Sequence, residues 1–212
     1  MQCAQCQGLD QLFDEPTARK ELQAFRKKGP SKSTRVLLDA ISHLKEPAFD
    51  LLDIGGGIGA IHHELLAKDL KQATVVDASE AYIKVSREEA QRRGTIDLLT
   101  YHHGDFVDLD TALPKWDIVT LDKVICCYHN MTDLVRKSAG KARKIYGVIY
   151  PRDSWWVKAM LPLINLYPRI KGNPYRAFVH PVREVDGIVR NQGFKLHFQR
   201  KFLFWQVVVY TR

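Results

Sequence analysis

The chain is short of cysteine, with four in 212 residues. Cys3 and Cys6 form one C-x-x-C, and there is no second pair to complete a four-ligand zinc site. Cys126 and Cys127 are adjacent. Thiols so few and so placed exclude a disulfide-rich scaffold, and the expectation is reduced cysteines in a cytoplasmic protein with no bound metal. No apolar run reaches the roughly 18 residues that suggest a membrane span. Met1 to Cys6 lacks the basic and then apolar pattern of a secretory signal. Internal repeats and low-complexity tracts are absent. Acidic residues are in deficit: 24 Asp and Glu stand against 32 Lys and Arg, a net charge of +8. That balance favours an anionic partner (nucleic acid, an acidic membrane surface or an anionic small molecule) without choosing among them.

What is present is an ordinary globular composition, 45% apolar and 26% charged, long enough for one α/β domain with a small addition. Helical spacing runs from Leu12 to Lys27 and is broken by Gly29-Pro30. A second helix, capped by Ser31 or Ser33, runs to about Leu44, and Pro47 ends the connection. Residues 1–47 are therefore read as an N-terminal helical cap. Residues 48–212 alternate: strand 49–54, helix 58–69, strand 73–76, helix to Arg93 capped by Ser79 and closed by Gly94, strand 98–102, strand 116–121, helix 132–144, strand 145–150. This order predicts a mostly parallel, Rossmann-like sheet. After a helix over 181–191, strands 194–199 and 203–210 joined by the basic link Arg200-Lys201 predict an antiparallel C-terminal hairpin. Seven strands result.

The most telling segment is Leu51 to Gly59, an apolar strand ending in Asp53 and followed by four glycines in five positions. Glycines there let backbone pass close to a ligand, and the following helix turns its free N–H groups to the same place. Gly55, Gly57 and Ala60 also fit a dinucleotide pattern, with Asp77 about 20 residues on. Asp53 argues against that reading. A carboxylate before the turn repels a pyrophosphate and suits a cationic or amine-bearing ligand such as S-adenosylmethionine. Asp53, Asp77, Asp105 and Asp122 all fall at strand carboxyl ends, where ligands bind in such sheets.

With these motifs in that order, the chain resembles the class I S-adenosylmethionine-dependent methyltransferases. The resemblance implies that Asp53 and the backbone of Gly55 and Gly57 hold the methionine part, and that Asp77 takes the ribose hydroxyls. It places Ala78, Gly104, Asp105 and Phe106 around the adenine, and Leu121 and Asp122 near the methionine and methyl donor. A narrower resemblance, to the magnesium protoporphyrin IX methyltransferases, rests on the paired N-terminal helices, the Leu121-Asp122 strand end and the stretch from Pro168 to His180. It departs at Cys127-Tyr128-His129, where that family carries His-Tyr-Pro.

The segment 152–176 is longer than a crossover requires and reads as a substrate-binding insertion. Trp155, Trp156 and Met160 beside Arg152, Lys158 and Arg169 suit a hydrophobic acceptor with an acidic group, porphyrin-like or a lipophilic acid. They suit peripheral contact with anionic lipid equally. Phe25, among Arg19, Lys20, Arg26, Lys27 and Lys28, is expected to help close a lid. His129 is the leading candidate base, with Tyr128 and then His180 behind it; an ionised carboxylate acceptor needs none. The rivals are an RNA methyltransferase and a non-catalytic S-adenosylmethionine-binding protein. The first lacks an N-P-P-Y motif, since Leu121-Asp122-Lys123-Val124 stands there, and lacks a Pro-Cys nucleophile. An NAD dehydrogenase is the outside alternative. Oligomeric state is not legible.

Overall fold

The computed structural model describes residues 12–46 and 48–212. Cys3, Cys6 and Pro47 lie outside them. Helix α1 (Glu15–Lys28) starts where Asp14 accepts the Thr17 N–H at 3.0 Å, and stops at Gly29. Helix α2 (Lys32–Ser42) starts at Ser31, whose hydroxyl oxygen accepts the Thr34 N–H. These side chains satisfy helix N–H groups that have no partner within the helix, each worth about 1 kcal/mol.

The remaining elements are β1 (Asp50–Ile54), α3 (His62–Leu66), β2 (Gln72–Asp77), α4 (Glu80–Arg93), β3 (Leu99–His103), α5 (Phe106–Leu109), β4 (Trp116–Asp122), α6 (Met131–Lys141), β5 (Ala142–Pro151), α7 (Trp155–Ile170), α8 (Val182–Asn191), β6 (Lys195–Lys201) and β7 (Trp205–Thr211). The sheet order is β3-β2-β1-β4-β5-β7-β6. Strands β1 to β5 pair in parallel, and β7 runs antiparallel to both its neighbours. The seven-stranded, mostly parallel sheet with its antiparallel C-terminal pair is thus as the sequence predicts. Chain order reverses between β1 and β4, which opens a crevice at their carboxyl ends.

One apolar layer packs α6 and α8 on the sheet through Leu134, Val135, Val185 and Val189, with Tyr146 and Tyr210 beneath them. The opposite layer sets α2 against the sheet through Leu37, Leu38 and Ile41. Leu37 and Ile41 are fully buried, each contributing about 1.5–3 kcal/mol of hydrophobic stabilisation. Helix α1 lies on α4 instead, through Ala18, Leu22 and Phe25. Glu89 of α4 is buried and receives Arg26 of α1 (2.6 Å) together with Arg92 and Arg93. Arg19 reaches Glu88 at 2.9 Å. The cationic face of the expected lid is therefore partly spent in holding α1 to α4.

Three expected boundaries move. The helix expected over 58–69 is confined to His62–Leu66, because Gly59 before it and Asp69 after it have φ of +93° and +64°, outside the helical region. The helix expected to run to residue 144 ends at Lys141, and Ala142 to Lys144 belong to β5. Ala142 is fully buried opposite Trp116, so strand pairing overrides local helical spacing. Arg200 and Lys201 do not link the last strands but sit in β6, paired with Val207 and Gln206. The turn is 202–204, closed by the Phe202 N–H on the Trp205 carbonyl at 2.8 Å. An edge strand accepts such charges on its solvent face.

Candidate active site

A cavity of about 780 Å³ opens at the carboxyl ends of β1, β2 and β4. Its walls include the glycine turn, Asp77, Ala78, Gly104, Asp105, Phe106 and Asp122, with α1 and the Gly29-Pro30 turn on the other side.

Asp53 is 1% exposed. In the β1–β4 register it stands opposite Thr120, whose hydroxyl donates to its Oδ1 at 2.8 Å. His62 Nδ1 donates to Oδ2 at 2.9 Å. His62 Nε2 lies 3.0 Å from the Ser86 hydroxyl, which lies 3.1 Å from the Tyr101 hydroxyl. Each Asp53 oxygen thus has a partner inside the protein, and the chain of contacts pins the glycine turn from behind.

The turn itself comes close to its surroundings. Gly55 and Gly57 have φ of +64° and +56°, left-handed values that L side chains avoid. A Cβ on Gly55 would collide with Val124 Cγ2, whereas one on Gly57 would meet nothing nearer than Tyr82 Cδ1 at 3.7 Å. The Gly57 N–H donates to Asp77 Oδ2 at 2.8 Å, and the Ser79 N–H to Asp77 Oδ1 at 2.9 Å. Each Asp77 oxygen keeps a further lone pair for a ligand hydroxyl. Burial raises the Asp77 pKa above the usual carboxylate value, against the two N–H groups that lower it.

Asp105 caps α5 by accepting the Val107 N–H at 2.9 Å. Its other oxygen accepts the Tyr128 hydroxyl at 2.8 Å. Asp122 accepts the Thr34 hydroxyl at 2.6 Å, which fastens α2 to the end of β4. Lys123 follows with φ +63°, its ammonium 3.1 Å from Asp122 and 5.8 Å from the Trp205 ring centre. Cys126 and Cys127 line the cavity with Tyr175. The Cys127 sulfur lies 3.7 Å from that of Cys126 and 3.3 Å from the Tyr175 hydroxyl. The Cys126 contact and then the Tyr175 contact lower the Cys127 pKa against burial, while the contact with Cys127 and burial hold the Cys126 thiol high. Among the described residues no cluster of metal-binding side chains occurs.

The structure gathers Asp53, Gly55, Gly57, Asp77, Ala78, Gly104, Asp105, Phe106, Asp122 and Tyr128 around one cavity. It does not bring in Leu121, whose side chain is fully buried in the core below. His129 is exposed, stacked on Tyr128 with ring centres 5.3 Å apart, and does not line the cavity. The Tyr128 hydroxyl is engaged by Asp105. His180 has its Nε2 3.0 Å from the Tyr128 carbonyl, and burial lowers its pKa; it is also off the cavity wall. Among the described residues no histidine lines it. Sequence reasoning missed Thr34, Lys123, Tyr175 and Trp205. Lys123 was signalled by its place after the strand-end acid and Tyr175 by its place in the segment 152–176, of which it alone lines the cavity among the described residues. Thr34 and Trp205 carry no local signal, because distant parts of the chain bring them in.

A seven-stranded sheet with this order, a glycine turn after β1 and an acid at the end of β2 define the class I S-adenosylmethionine-dependent methyltransferase fold. Residues 52–144 match a family described as a methyltransferase domain. Within that region the chain is similar to the ubiquinone/menaquinone biosynthesis C-methyltransferase UbiE of Allorhizobium ampelinum, at 29% identity over 87 residues. That match covers 40% of this chain and 34% of the relative, so the chain spans about a third of that relative's length. Among solved structures, magnesium protoporphyrin IX methyltransferase (ChlM) of Synechocystis PCC 6803 with bound SAH superposes with a TM-score of 0.67 at 17% identity, over 85% of this chain and 81% of that one. The [4+2]-cyclase SpnF superposes with a TM-score of 0.64 at 12% identity, over 84% and 80%. Such likenesses establish the fold; the chemistry must be argued from the site.

Proposed function

We propose that this protein transfers a methyl group from S-adenosylmethionine to a small, hydrophobic, anionic acceptor, porphyrin-like or a lipophilic acid, in the cytoplasm. The observation that carries the reading is the lining of one cavity, which brings the strand-end acids and the glycine turn together with the cations Lys28, Arg35 and Lys123 and the rings of Tyr175 and Trp205.

Asp77 would hold the ribose hydroxyls with its remaining lone pairs. Ala78, Gly104, Asp105 and Phe106 would border the adenine, and Gly55 and Gly57 would admit the methionine part against backbone. Asp53 would act by fixing the turn, since it is 1% exposed and accepts from His62 and Thr120 inside the protein. The donor, when bound, supplies a methyl group activated by the sulfonium. The chain's share is to align the acceptor and exclude water. Helix α1 lines the cavity with Phe25, and the cations of the wall complement an acidic group. A carboxylate acceptor is already ionised near neutral pH and asks for no general base, which accords with a cavity wall free of histidine among the described residues.

The test is transfer of labelled methyl from S-adenosylmethionine to a panel of lipophilic acids, with their methyl esters and RNA as controls. Label appearing on the free acids supports the proposal. Label on RNA alone, or donor binding with no acceptor in the panel methylated, would replace it with one of the rival readings.

A further inference from the structure

Helix α7 buries only Val157 and Pro168 of its 16 residues. Its outward surface is apolar: Trp155 is 80% exposed and Ile170 73%, and Leu163, Leu166 and Tyr167 are each at least half exposed. Trp155, Leu163, Leu166 and Ile170 recur at helical spacing along one stripe. An exposed apolar stripe of this length on a folded domain marks a contact surface. Next to it, the 202–204 turn presents Leu203, also 80% exposed. The turn is joined to the start of α7, because the Arg152 N–H donates to the Phe204 carbonyl at 2.9 Å and Trp156 meets the Phe204 ring edge-on. Trp205, next along β7, lines the cavity close to Lys123, so the apolar surface reaches the cavity wall there.

Charge says what covers this surface. Residues 154–212 hold ten Lys and Arg against two acids, Glu184 and Asp186, an excess equal to the +8 of the whole chain. Lys158, Arg169 and Lys171 stand on and beside α7, and Arg200 and Lys201 beside Leu203; all five are exposed. Apolar and aromatic side chains flanked by cations match a bilayer interface with anionic headgroups. Sixteen residues make about 24 Å of helix, less than the ~30 Å hydrocarbon core, and no described helix is long and apolar enough to cross a membrane. The helix therefore lies in the interface plane. We infer that α7 and the 202–204 turn dock the protein on an anionic lipid surface, with the cavity mouth beside the bilayer. This docking does not depend on the methyl-transfer reading.

The test is co-sedimentation of the full chain with vesicles of phosphatidylcholine alone and of equimolar phosphatidylcholine and phosphatidylglycerol, at low and high salt. Binding to the anionic vesicles, weakened by salt, is expected. Leu163→Glu/Leu166→Glu should weaken it about 100-fold or more, and Lys158→Glu/Lys171→Glu about tenfold. Both pairs are exposed, so the circular dichroism spectrum should not change. The inference is overturned if the parent chain does not bind anionic vesicles, or if the leucine variant binds as well as the parent. It is also overturned if light scattering shows a dimer that the leucine variant turns into a monomer, since a second copy would then cover the face.

Discussion

Alanine at Gly55 and at Gly57 should have different consequences, although both glycines are left-handed. Placing an L residue at φ near +60° costs about 1–2 kcal/mol at either position. Gly57→Ala adds little, because its Cβ has open space beside Tyr82. Gly55→Ala adds a collision with Val124, a β-branched side chain with one stiff rotamer, and overpacking of that kind costs about 1–3 kcal/mol more. Urea unfolding should therefore place Gly57→Ala about 1–2 kcal/mol below the parent and Gly55→Ala about 2–5 kcal/mol below it. For a domain of this size the milder loss lowers Tm by roughly 2–8 °C. Val124→Ala removes the obstructing methyl, so the double variant with Gly55→Ala should recover most of the packing loss, a coupling of about 1–3 kcal/mol in the cycle. Because Gly57 lines the cavity, Gly57→Ala should also lower donor affinity by about tenfold or more in a protein that remains folded. Equal destabilisation by the two alanines, or a cycle without coupling, would refute the reasoning.

Three further outcomes follow from the structure. His63 is 1% exposed, neither ring nitrogen has a hydrogen-bond partner, and burial lowers its pKa to about 2. The unfolded chain takes up this proton below pH about 6.5 and the folded chain does not, so stability falls with acid between pH about 6.5 and 2, by about 1.4 kcal/mol per pH unit at full slope; His63→Leu should flatten that part of a stability–pH curve. Glu89→Gln leaves Arg26, Arg92 and Arg93 around a neutral buried amide, and because these guanidiniums keep contact with water it should cost about 1–3 kcal/mol in chemical denaturation. Lys123→Met removes a cation from the cavity wall and leaves the Asp122 carboxylate without its ammonium partner, so steady-state kinetics should show a higher KM for an anionic acceptor than in the parent, with a smaller change for its neutral ester.

Much of this architecture is legible in the chain because the signals are local. Ser79 and Gly94 bound α4 at the expected residues, and acids end β2 and β4, with Asp53 one residue before the end of β1, where the alternation places strand ends. Side-chain roles were less legible, because they depend on register and on distant partners. Asp53 looks like a ligand-facing acid in sequence, but the sequence does not show that it also accepts from His62 and from Thr120, 67 residues away, inside the protein. His129 has the right chemistry for a base, but it follows a short helical turn that points it outward while Tyr128 faces in. The exposed surface of α7 is a fact about what does not pack on it, and periodicity cannot show that. Its aromatics read equally well as core.

Isothermal titration of the chain with S-adenosylmethionine and with its demethylated product tests the central claim most directly. The account predicts saturable one-to-one binding of both, about tenfold or more weaker in Asp77→Ala, and weaker toward acid pH as the raised Asp77 pKa is approached and its carboxylate takes up a proton. Absence of heat with both compounds, or an affinity that Asp77→Ala leaves unchanged, would contradict it.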